Sequence, residues 1–139
     1  MSLKIQGNVV LDYDGSTYSA TNIAVGLGAL PSNTTGTYNV ALGYQALYLN
    51  NTGIQNAAIG PQSLRSNTYG INNVAIGMRA MYSNTTGINN LAIGTDALYS
   101  NTTGIRNIAV GQQALFSNDS GNWNTGLGFQ TLYSNTIGT

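Results

Sequence analysis

Asp12 and Asp14 stand two residues apart, the spacing that puts two carboxylates on one face of a β-strand. A carboxylate pair on one face is what polysaccharide-cleaving enzymes use as acid and base or nucleophile. Everything else such chemistry needs is missing from the inventory. The other two acids, Asp96 and Asp119, lie in different parts of the chain, and there is no histidine to act as a base and no cysteine to act as a nucleophile. Asp12 and Asp14 therefore read as two solvated acids near a turn. The glycines of Gly26-Leu27-Gly28 precede a corner rather than a helix, so no dinucleotide is implied. Calcium-binding β-roll repeats carry an acid in every unit, and here only Asp96 and Asp119 fall within the repeated region. The expectation is a protein that is not an enzyme, with no catalytic residue, no cofactor and no metal.

The remaining charge is equally sparse. Lys4, Arg65, Arg79 and Arg106 balance the four aspartates to a net charge of zero, which leaves no basic face for phosphates, so nucleic acid is not an expected partner. Without cysteine, stability has to come from packing and assembly. No apolar run approaches the roughly 20 residues of a membrane helix, and the opening residues lack the basic start and long apolar centre of a secretory signal. Neither membrane insertion nor self-directed export is expected.

What positions these residues is a repeat. An asparagine recurs every 17 residues at Asn22, Asn39, Asn56, Asn73, Asn90, Asn107 and Asn124, each followed four residues later by glycine, from Gly26 to Gly128. A second glycine closes each unit, from Gly36 to Gly138, after a polar tract whose clearest form is Ser-Asn-Thr-Thr at 83–86 and 100–103. Seven units follow without insertion or deletion, a regularity that marks a repeat architecture. The run Asn73-Val74-Ala75-Ile76 is too short for a helix and is stopped by glycine, so it reads as a strand. Ala-Leu-Tyr reads as a second short strand, and the Ser-Asn-Thr-Thr-Gly tract as a turn. Helical solenoid units run to about 33–47 residues, a mismatch with 17 that favours the β-solenoid over a helical repeat. The expected fold is all-β: a parallel β-solenoid, or β-roll, of seven 17-residue coils over residues 22–139, preceded by a cap or docking segment over residues 1–21. Parallel stacking at about 4.8 Å gives a rod of roughly 33 Å. Leu3, Ile5, Val9, Val10 and Leu11 supply the apolar content of the first segment.

Positions within a unit are numbered from its asparagine. Position four (Val25, Leu42, Ile59, Ile76, Ile93, Val110, Leu127) and position nine (Leu30, Leu47, Leu64, Met81, Leu98, Leu115, Leu132) are expected in the core. Alternation along the strand then turns position three outward. An outward column of Ala24, Ala41, Ala58, Ala75, Ala92 and Ala109 would suit close approach of another chain, so it is the expected contact between subunits. The asparagine column is read as structural, its stacked amides bonding along the axis. Asn33, Asn50, Asn84, Asn101 and Asn118 open Asn-x-Ser/Thr sequons that read as turns. Thr34, Thr68, Thr85 and Thr102 form an interrupted threonine column that keeps an ice-binding reading open. The variable positions hold most aromatics: Tyr48, Tyr82, Tyr99, Phe116 and Tyr133 at position ten, with Arg106, Trp123 and Phe129 nearby. Stacking on one another is one use for such a column; the other is a stripe facing host surface glycans, with exposed ring faces suited to sugars.

The units resemble a known family. Asn-Val-Ala-Ile-Gly at 73–77 and Asn-Leu-Ala-Ile-Gly at 90–94 are similar to the head repeats of trimeric autotransporter adhesins. The longer Ala-Leu-Tyr-Ser-Asn-Thr-Thr-Gly form, as at 97–104, resembles repeats of bacteriophage tail-fibre proteins. The resemblance spans residues 22–139 and implies a left-handed winding and a parallel homotrimer. The adhesin unit is shorter, so the turn tract is expected to add a projecting loop. Such adhesins are exported through a signal peptide and a membrane barrel, neither of which is read in this sequence, whereas fibres assemble inside the host cell. The expectation is therefore a structural or adhesive virion fibre or spike component on the virion surface, joined to other virion proteins through residues 1–21, with a bacterial surface adhesin head as the alternative.

Overall fold

The computed structural model describes residues 2–5, 8–12 and 22–138, with side chains described from residue 22 onward. Asp14 lies outside the described residues, so the Asp12–Asp14 pairing does too. Strands β1 (Ser2–Ile5) and β2 (Asn8–Asp12) form an antiparallel pair of their own, with Ser2 opposite Asp12 and Ile5 opposite Asn8. The repeats form a separate seven-stranded parallel sheet: β3 (Ile23–Val25), β4 (Val40–Leu42), β5 (Ala57–Ile59), β6 (Val74–Ile76), β7 (Leu91–Ile93), β8 (Ile108–Val110) and β9 (Thr125–Leu127), in chain order. Every pairing joins equivalent positions of successive units, Ala75 lying opposite Ala58 on one side and Ala92 on the other. The chain is a β-solenoid with one 17-residue unit per coil and no helix among the described residues.

Each strand has three residues because the next is a glycine that cannot be replaced. Gly77 has φ of +130°, and a Cβ there would lie 2.7 Å from the carbonyl of Gly94 in the next coil, a clash added to a backbone conformation that L-residues avoid.

Three expectations fail, for related reasons. First, Ala-Leu-Tyr is not a strand. The leucine of this segment takes a left-handed conformation, with φ of 50° at Leu47 and 51° at Leu115, and so does the residue two before it, such as Gln113 at 56°. The chain therefore bends through this side of the coil instead of extending. Second, the closing glycines, which the turn reading of their tract would place at positive φ, are not there for that, since Gly87 has none; they are needed for space. A Cβ on Gly87 would sit 2.7 Å from the carbonyl oxygen of Gly104 and collide with the Asn84 side-chain oxygen. Third, the strand faces the other way. Ala41, Ala58, Ala75, Ala92 and Ala109 are fully buried inside their own chain and Ala24 nearly so, whereas Ile59, Ile76 and Ile93 are 36–37% exposed. The reason is room. At Gly126, the alanine position of the last coil, a Cβ would already lie 3.3 Å from Cγ of the core residue Leu115, so nothing larger than alanine fits beneath that leucine. Buried alanines cannot form a contact between subunits.

The ninth-position leucines and Met81 are core as expected, down to Leu115, while Leu132 in the last coil is exposed. A second alanine column (Ala29, Ala46, Ala80, Ala97 and Ala114) completes the apolar interior. Apart from Ser63 and Asp96, the remaining buried side chains are asparagines. Asn39, Asn56, Asn73, Asn90 and Asn107 form one buried column, and Asn50, Asn67, Asn84, Asn101 and Asn118 form another.

Candidate functional site

The two asparagine columns use up the polar capacity of the interior. In the first, the Asn56 backbone N–H donates to Asn39 Oδ1 at 3.0 Å, its Nδ2 donates to the same oxygen at 3.2 Å and to the Gly70 carbonyl across the coil at 2.8 Å, and its Oδ1 accepts from the backbone N–H and Nδ2 of Asn73. In the second, Nδ2 of each residue donates to Oδ1 of the one before, Asn67 to Asn50 at 2.7 Å, Asn84 to Asn67 and Asn101 to Asn84 at 2.8 Å. Both columns also converge on the closing glycine, Asn73 and Asn84 each donating to the Gly87 carbonyl. A buried amide is tolerated when its donors and acceptors are met inside the protein, and here each coil meets those of the next. This matches the structural reading of the first column. The second column carries the sequon asparagines, and its amide nitrogens at Asn50, Asn84, Asn101 and Asn118 are buried donors, closed to glycosylation in the folded chain. The tract around them is a wall of the coil and not a projecting loop.

The outer face of the parallel sheet is aliphatic. Position two presents Ile23, Val40, Ala57, Val74, Leu91 and Ile108, and position four presents Val25, Leu42, Ile59, Ile76, Ile93, Val110 and Leu127, all half-buried or exposed. Ile54, Ile71, Ile88 and Ile105 form a further column at position sixteen, half-buried to exposed, with Ile71 bridging to Ile88 in parallel. A sheet face in contact with water ordinarily alternates to polar residues. This one runs roughly 30 Å by 10 Å, on the order of 300 Å² before its flanks are added, the size of the largest and often functional apolar patch of an ordinary monomer.

The aromatic column occupies another side. Tyr82, Tyr99, Phe116 and Tyr133 stack in sequence, centroids 5.0–5.2 Å apart and planes within 7°. Arg65 takes the place of a ring between Tyr48 and Tyr82, its guanidinium 5.1 and 5.7 Å from their centroids, so the stack runs from Tyr48 to Tyr133. Ring faces that cover one another are not available to a sugar. Of the two readings of this column, mutual stacking is the one found: the faces of Tyr82, Tyr99 and Phe116 are covered and the column offers ring edges there, while Tyr48 has one face against Arg65. Arg106 and Trp123 form a separate pair, the guanidinium 4.3 Å from the indole centroid. Trp123 and Phe129 remain about two-thirds exposed.

The threonine column has its hydroxyls engaged: Thr68 donates to the Thr85 carbonyl at 3.1 Å and Thr85 to that of Thr102 at 3.0 Å. Among the described residues no group of three or more histidine, cysteine, aspartate or glutamate side chains is placed to hold a metal ion, and no helix is long and apolar enough to cross a membrane. Sequence reasoning missed the second asparagine column and the outward aliphatic face. Both were signalled by the sequence, the first by an asparagine at position twelve of every unit and the second by alternation read in the opposite phase.

No protein-family model, no curated protein and no solved structure matches the chain. The geometry of the surface itself is what remains to carry a functional reading.

Proposed function

We propose that the chain is a non-catalytic structural and adhesive module of a virion fibre or spike, assembled as a parallel homotrimer with three aliphatic sheet faces turned toward a common axis. The observation that carries this reading is the exposed aliphatic face of β3–β9, which a lone chain would leave in water. Parallel, in-register copies bring equivalent positions together, so a column of isoleucines meets isoleucines along the whole length. Left-handed winding goes with this reading through the resemblance of the repeats, and attachment to other virion proteins falls to the β1–β2 segment. The stacked aromatic column and the exposed Arg106–Trp123 pair then lie on sides away from the axis, with Trp123, Phe129 and Tyr133 as the residues offered to a host glycan.

The experiment is direct for both parts. Ile76→Glu with Ile93→Glu, whose side chains leave the chain's own core untouched, is expected to yield folded monomers from a trimeric parent. Binding of the parent to a glycan array, weakened by Trp123→Ala with the trimer intact, is expected for the adhesive part. A monomeric parent overturns the assembly, and a parent that binds no glycan leaves a spacer and overturns the adhesive role.

A further inference from the structure

Position seven runs Gly28, Gln45, Gln62, Arg79, Asp96, Gln113 and Gln130, and its side chains pair from coil to coil. Gln62 donates to Gln45 at 3.2 Å and Gln130 to Gln113 at 2.9 Å. These amide pairs are interchangeable, since any glutamine can serve any other. The middle pair is different. Arg79 Nη2 donates to Asp96 Oδ2 at 2.9 Å, and Nε lies 2.9 Å from Oδ1 but off the donor axis, an ionic contact without a directed hydrogen bond. Asp96 is only 6% exposed, and the Arg79 guanidinium also lies over the Tyr99 ring at 5.8 Å.

We propose that the Arg79–Asp96 pair is a register lock that selects the pairing of the fourth coil with the fifth. The seven coils share the same asparagine and glycine columns and, apart from Met81 and Gly126, the same leucine and alanine columns. A slip by one whole unit, or an exchange of coils between two copies, therefore preserves nearly every backbone bond and core contact. Slippage of this kind is the hazard of any repetitive sheet whose faces do not distinguish one register from another. The ionic pair does distinguish them. If the fourth coil pairs with the sixth, Arg79 faces Gln113, and if the third pairs with the fifth, Asp96 faces Gln62. The first arrangement leaves the half-buried Arg79 guanidinium without its anion, and the second leaves the nearly buried Asp96 carboxylate without its cation, which is costly. A buried ion pair is a weak source of net stability but a well-attested source of register. The pair therefore fixes which coil follows the fourth, near the middle of the stack.

The test uses the full chain. Arg79→Gln with Asp96→Gln makes the column uniform, and adding Gln113→Arg with Gln130→Asp moves the pair two coils along. Each form is unfolded in denaturant and refolded, and the products are resolved by native mass spectrometry and limited proteolysis, a looped-out unit being a cleavable segment. The uniform variant is expected to give a misregistered or exchanged share several-fold above the parent's, with the unfolding midpoint of its correctly paired fraction close to the parent's. The relocated pair is expected to restore a single product. A uniform variant that refolds to one species in the parent's yield overturns the lock. So does a relocated pair that fails to restore a single product, because the effect would then be local packing around Tyr99.

Discussion

Ala75 and Ile76 are neighbours on β6, and the smaller of the two is the one inside: Ala75 is fully buried while Ile76 is 36% exposed. The interior of the coil is too narrow for a branched side chain at that position, and the aliphatic bulk is turned outward. Substitution at the two sites should thus have different consequences. Ala75→Ile is expected to lower stability by about 1–3 kcal/mol, the usual cost of overpacking, as read by denaturant unfolding. Ile76→Thr should leave the unfolding of a dissociated chain nearly unchanged. Equal losses at the two positions would contradict the assigned faces.

Asn84 tests the interior amides. It donates to Asn67 Oδ1 and accepts from Asn101 Nδ2, both at 2.8 Å, with no exposure to water. Asn84→Leu strands the amide of one neighbour and the carbonyl oxygen of the other, an expected loss of about 1–3 kcal/mol per unpaired group. Chemical denaturation of the variant beside Asn51→Leu, at the half-buried position next to an equivalent asparagine, would separate the buried amide from a general sensitivity to substitution.

Gly87 should be intolerant for lack of room, not for lack of backbone freedom. Gly87→Ala is expected to destabilise by at least about 1 kcal/mol through overpacking, even though alanine is favoured over glycine at an ordinary φ. A melting temperature equal to or above the parent's would show that the neighbouring coil yields.

Arg65 is expected to behave as a member of the aromatic stack. Arg65→Ala removes two cation–π contacts, each worth about 0.5–1 kcal/mol at exposed sites, and also the bond to Gln45 Oε1 at 3.2 Å. Arg65→Tyr should recover most of the loss, because a ring continues the stack between Tyr48 and Tyr82. Recovery by Arg65→Lys but not by Arg65→Tyr would mean that charge and not stacking matters there.

The repeat, its strand and its class of fold were legible in the residues themselves, because a strand ended by glycine at one interval through seven units admits few backbones. The core leucines were legible for the same reason. The phase of the strand was not. Reading Ile76 as buried and Ala75 as exposed follows from ranking side chains by hydrophobicity, and it fails where the enclosed space is set by a coil of 17 residues. The clue was in the variation: position three is alanine in six units and glycine in the seventh, the uniformity of a tight fit, while position four passes freely among valine, leucine and isoleucine. The left-handed leucines could not be anticipated, since leucine has no local preference for positive φ, and only the closure of the coil holds Leu115 there. The aromatic stripe was visible as a column, but whether its rings face water or each other depends on side-chain angles that spacing does not fix.

The outward aliphatic face is the centre of this account, and the mass of the assembly tests it most directly. Native mass spectrometry of the parent chain is predicted to give three times the 14.5 kDa of one copy, and the Ile76→Glu, Ile93→Glu variant a folded single copy. A parent that is monomeric at every concentration, or a doubly substituted variant that stays trimeric, would contradict it.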